Sequence, residues 1–289
     1  MPTIREKRVY DEAATPTPVF VAAEQGLVVA QLSDDAVGEF GLAHPGTARD
    51  VAVAPDGTLA LATDEALLVA SGADPERLTE TEFGPATAVS VVDGAERSVV
   101  AVDPSGGIAR LPIPDAGFHP ESGPTAADWV DLGSVDDVRA VDGRLVAAAD
   151  GVHRITASGL DDAGLDDVRD VAARGAPLAA TTDGLYELGN GWMLARGGGH
   201  ETVATDGERA HAVAADGTVL GRSSGGGDWT ALDLPTDEGI VDFGYTDDAV
   251  VAATDSGSLL ATVGDRWRSR AVGVTGVASI AAGPTLDVA

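Results

Sequence analysis

The residues best placed to do chemistry are two arginines. Arg139 and Arg169 each follow an Asp-Val pair, Asp137-Val138 and Asp167-Val168, so they occupy one register of two similar segments. A guanidinium presents a planar fork of donors that grips a carboxylate or phosphate oxygen pair, so the two together are candidates for holding an anion or an acidic side chain. Aligned on the same pair, an earlier segment carries Ala52 and a later one Asp242, which adds a single acid to the candidate site. The structural alternative is local pairing of the arginines with Asp137, Asp167 or Asp170.

A second candidate is the stretch Pro112–Ala126 (PIPDAGFHPESGPTA), which has four prolines and carries Phe118 and His119 at its apparent tip. Long loops on a rigid scaffold are where binding usually sits, although a proline-stiffened spacer explains the same composition. Asp161, Asp162 and Asp166, with Asp167 and Asp170, form an acidic tract that offers the oxygen ligands a hard cation prefers. It lacks the alternating order of a calcium loop, and a hydrated surface turn is the simpler reading. His44, His119, His153, His200 and His211 show no metal-ligand spacing, and cysteine is absent. The chain also has no Gly-x-Ser-x-Gly elbow, and Gly225–Gly227 is not followed by the Lys-Ser or Lys-Thr of a phosphate loop. No catalytic residue is assigned and no cofactor is expected.

These residues have to be positioned by a repeat. Seven times a short Val/Leu/Ala run ends at an acid, turns and resumes: at Glu24, Asp64, Asp103, Asp150, Asp183, Asp216 and Asp255. Around Asp183 the unit reads as four strands, Asp167–Ala172, Leu178–Thr182, Leu185–Leu188 and Trp192–Ala195, with Asp183-Gly184 as a hairpin turn. First strands recur at Asp50–Ala54, Ala88–Val92, Asp137–Val141, Glu201–Ala204, Ile240–Gly244 and Val277–Ala281. Trp129, Trp192, Trp229 and Trp267 stand near the starts of fourth strands, where they would cap the packing between neighbouring outer edges.

Four short antiparallel strands in each unit of roughly 40 residues predict an all-β, seven-bladed β-propeller. Val277–Ala281 has no complete blade behind it, and Val19–Ala23 has no typical first strand before it. Joined, they make one blade, closed by the C-terminal strand; Ile4–Tyr10 is the alternative closing strand. The single domain spans 1–289, with units at roughly 16–47 plus 276–289, 48–85, 86–135, 136–165, 166–200, 201–239 and 240–275.

Against 47 Asp and Glu stand 18 basic residues, of which one, Lys7, is lysine, giving a formal charge of −29. Regular apolar runs argue against disorder. Many small hydrated carboxylates with almost no lysine predict a folded protein adapted to multimolar salt, where repulsion is screened within about 3 Å. The balance argues against nucleic acid as a partner. No apolar run is long enough for a spanning helix, so the chain reads as cytoplasmic, off the membrane and monomeric.

Near Trp229, Leu220–Thr230 (LGRSSGGGDWT) resembles the Asp-box turn of sialidase-like and sortilin-like propellers, without the expected Asp and one residue short. The box is a folding element, so the resemblance implies a blade. Sialidase chemistry would need an arginine triad and a Tyr activated by Glu, whereas Tyr10, Tyr186 and Tyr245 have no recognisable Glu partner. The units are similar to WD40 propellers but lack their Trp-Asp and Gly-His pairs. Over its whole length the pattern resembles a haloarchaeal β-propeller family without an assigned activity, which implies fold and lineage. The expected role is a non-catalytic module binding a protein or small ligand. The alternatives are a hydrolase or lyase with Asp and Arg at the channel mouth, and a cation or small-ligand sensor.

Overall fold

The computed structural model describes residues 16–94, 97–119, 123–223, 227–264 and 266–284. Seven four-stranded antiparallel sheets stand in a ring. From the inside outward, blade 1 comprises Ser279–Ala282, Thr17–Ala23, Gly26–Ser33 and Ala36–Pro45, so the C-terminal strand closes the ring as the sequence predicts. Ile4–Tyr10 lies outside the described residues.

Blades 2 to 7 follow in chain order. Their inner strands are Ala48–Val53, Ala88–Val92, Val138–Asp142, Val168–Ala172, His200–Thr205 and Ile240–Tyr245. Each inner strand leads by a short turn into a second strand such as Leu59–Thr63, Ser98–Val102 or Val250–Thr254, in which every residue is buried. A second strand is covered on both faces by neighbouring blades, which is why these runs are continuously apolar rather than alternating. The packing between blades is made of small aliphatic residues with few aromatics. Between blades 1 and 2, Phe20, Ala22 and Leu27 meet Val51, Leu59 and Leu61.

The four tryptophans cap the outer seams, each against the preceding blade. Trp192 donates its indole N–H to Ala163 O at 2.8 Å. Trp129 packs on Phe83 at 4.6 Å and Trp267 meets His211 edge-on. Trp229 is buried, and its carbonyl accepts from Arg196 of blade 5.

The proline-rich insertion departs from the sequence expectation. Phe118 is not an exposed tip: it is 8% exposed and packs with Leu67 and Val69 of blade 2 and Val99 and Leu111 of blade 3. Its N–H donates to Ser71 Oγ at 2.8 Å, Glu82 N donates to Pro124 O, and Ala126 N to Glu82 Oε2. The outer strand of blade 2 is only Thr79–Glu80, and the insertion of blade 3 covers the seam that this short strand leaves. An aromatic ring is more stable in that apolar seam than in water, so the loop folds back. His119 alone of the two is exposed.

Candidate functional site

The inner strands enclose a central channel of about 510 Å³, lined from all seven blades. In five blades the strand opens with a β-bulge: pairing skips Arg49, Arg139, Arg169, Glu201 and Val241. A bulge places two residues opposite one and re-aims the extra side chain. At this end the channel is lined by Arg49, Arg139, Arg169 and Glu201.

This corrects the register read from sequence. Arg49 and Val241, not Ala52 and Asp242, share the position of Arg139 and Arg169. The Asp-Val pairs straddle the bulge differently from blade to blade, so aligning on them mixes two registers.

Arg139 donates to Asp167 Oδ1 of the next blade at 2.5 Å and to Asp137 Oδ2 at 3.2 Å. Asp137 and Asp167 enter their strands at φ of 50° and 48°, a left-handed conformation that Asp tolerates better than branched residues. The bond from Arg139 holds the Asp167 carboxyl below its usual range. Arg169 donates to Glu201 Oε2 of blade 6 at 2.6 Å, and Arg49 grips Asp64 through Nε and Nη2. The guanidiniums are 28–49% exposed.

One residue deeper lies Asp242 with Asp50 and Asp170, in a role the sequence does not announce. Each carboxylate accepts the next N–H of its own strand through Oδ1 and an N–H of the following blade through Oδ2. The second donors are Val89 for Asp50, Val203 for Asp170 and Ile280 for Asp242, all at 2.8 Å. At the same level Ser279 Oγ accepts from Val51 N, and Thr202 donates to Val241 O. In blades 3 and 4 this position is Ala88 and Ala140, and the contact moves two residues along: Ser90 Oγ accepts from Gly143 N, and Asp142 from Ala173 N. One polar side chain per blade therefore ties each of the seven inner junctions to the next backbone. In sequence each tie is an Asp, Ser or Thr within its inner strand, accompanied by other polar residues in blades 2, 4, 5 and 6.

Burial raises these carboxyl groups against the pull of their N–H donors. Asp50 is pushed up to about 6 and Asp170 to about 7, while Asp242 lies well above the usual carboxylate range and Asp142 is raised. The carboxylates also raise one another across the channel. At the far end, His211 of blade 6 hydrogen-bonds Tyr245 at 2.9 Å and stacks on Phe243, and burial pushes it down to about 4.

The acidic tract does not converge. Asp161 and Asp162 are adjacent on the outer strand of blade 4, so they point to opposite faces, and Asp162 accepts from Gly164 N. Among the described residues no three acidic or histidine side chains are placed to hold a metal ion, and no helix is long and apolar enough to cross a membrane.

A family profile described as HVO_0234-like β-propeller matches residues 3–283. No curated protein matches the chain. Among solved structures, the WD40 propeller domain of Doa1 superposes with a TM-score of 0.63 at 13% identity, covering 86% of this chain and 89% of that one. A functionally unknown protein from Desulfotomaculum acetoxidans gives 0.64 at 12% identity, covering 93% and 99%. A nidogen/laminin complex gives 0.59 at 11% identity, covering 93% and 98%. At these identities the likeness is one of fold.

Proposed function

Because the chain belongs to the HVO_0234-like β-propeller family, whose fold commonly binds or scaffolds, we propose that it is a non-catalytic binding module of a salt-accumulating archaeal cytoplasm. The observation that carries this reading is the bulged register at the channel mouth, which turns Arg49, Arg139 and Arg169 toward one opening in a chain of charge −29. The charge balance and scarcity of lysine support the salt-rich setting.

The hydrolase or lyase reading draws on Asp50 and Asp170, whose raised values fall where a general acid or base works. Against it, both oxygens of each already accept a backbone N–H, and in each the Oδ2 bond ties its blade to the next. Purification of the tagged chain from its native cells in molar KCl, beside Arg139→Ala/Arg169→Ala, tests the binding reading. A protein or small molecule retained by the parent and lost by a folded double variant supports it. Equal retention by both removes the mouth as the site.

A further inference from the structure

Resting on the binding reading, we propose that the channel mouth takes the single carboxylate or phosphate head of a small hydroxylated molecule, between Arg139 and Arg169. The first ground is that the arginines are not needed to close the ring. Every inner junction already carries its own polar tie, from Ser279, Asp50, Ser90, Asp142, Asp170, Thr202 or Asp242. Ion pairs as exposed as Arg169–Glu201, at 40% and 44%, add little to stability. What Asp137, Asp167 and Glu201 do achieve is to fix where the guanidiniums stand, and a pre-positioned fork loses less entropy on capturing an oxyanion.

The second ground is placement. Arg139 and Arg169 sit at bulges on the inner strands of neighbouring blades, and both line the cavity, as does Glu201, the partner of Arg169, whereas Asp137, Asp167 and Asp64 stand outside its lining. Among the described residues Arg169 spends one of its five N–H donors, on Glu201. One level down, the lining changes to Asp50, Asp170, Asp242, Thr202 and Ser279. Those acceptors oppose a second negative charge and favour hydroxyl donors, so the occupant carries one oxyanion and a hydroxylated body. The 510 Å³ volume suits a molecule of that size and is too small to admit a folded protein.

The test titrates the full chain in molar KCl with glycerol 3-phosphate and, separately, glycerate, following the arginine Nε–H resonances by NMR. The expected result is saturable movement of the Arg139 and Arg169 signals with one of the two probes, which identifies the head group. Arg139→Lys/Arg169→Lys keeps the charge, loses the fork, and should weaken that probe by at least about tenfold. Arg169→Lys alone serves if the double variant does not fold. No saturable movement with either probe overturns the proposal, as does undiminished binding by the folded lysine variants. If both probes fail while a native partner is still lost with the alanine variants, the ligand class is wrong and the binding reading stands.

Discussion

Replacing Asp170 with Asn should flatten the pH dependence of stability on the alkaline side of pH 4. In the folded chain burial holds the Asp170 carboxyl at about 7, against 3.8 when the chain is open. Between those values the native state keeps a proton that the unfolded state has released, so stability falls as pH rises. The contribution is fully present below 3.8 and is lost as pH passes about 7. At about 1.4 kcal/mol per pH unit per proton, this interval corresponds to roughly 4 kcal/mol for Asp170. Asp50, rising from 3.8 to about 6, tilts the profile the same way by roughly 3 kcal/mol. Carboxyls held low, including Asp103 and Asp206, act oppositely: their contribution is present above 3.8 and lost below it. The parent should therefore be most stable near pH 4 to 5. The amide introduced by Asp170→Asn cannot titrate, and it faces either Val171 N or Val203 N with a donor, at a cost of about 1–3 kcal/mol. The variant should be the weaker protein at pH 5, and its deficit should shrink or reverse by pH 8. Urea unfolding followed by near-ultraviolet circular dichroism, in fixed molar KCl to screen surface charge, measures both profiles. Parallel profiles from pH 4 to 8 would refute the reasoning.

Deleting Val277–Ala289 removes the inner strand of blade 1 and exposes Phe20 and Val21, so melting in molar KCl should fall far more than after deletion of residues 1–11; equal losses would place closure elsewhere. Phe118→Ala should destabilise by about 3–5 kcal/mol in chemical denaturation, as for a buried ring, and a change within about 0.5 kcal/mol would return Phe118 to solvent. Asp50→Ala should cost more than Ser279→Ala, because it leaves Val89 N without its acceptor, whereas Val51 N keeps Asp50 when Ser279 is lost; paired denaturation curves rank the two. Lowering KCl from molar to about 0.1 M lengthens screening to roughly 10 Å and should lower the melting temperature; an unchanged melt would dispose of salt adaptation.

The repeat of acid-ended apolar runs, the hairpin turns and the mismatched ends were enough to specify seven blades closed by Ser279–Ala282. These are local signals: turn chemistry and the apolar second strands follow from a backbone that must bury both faces of each sheet. Tryptophan spacing likewise revealed the outer seams. The channel was legible only in part. Arg139 and Arg169 were visible as a matched pair, but Arg49 was missed because the Asp-Val pair precedes the bulge in blades 4 and 5 and follows it in blade 2, three residues out of register, and a bulge has no sequence mark of its own. In sequence Asp242 enters the candidate site only by alignment with the arginines, Asp170 belongs to the acidic tract, and Asp50 marks only the start of a first strand. Only closure of the ring puts a neighbouring blade's N–H groups against them, turning acidic side chains into buried ties between blades. Phe118 shows the same limit in reverse: the chain around it reads as an exposed loop until blade 2, with its two-residue outer strand, leaves a seam for the ring to fill.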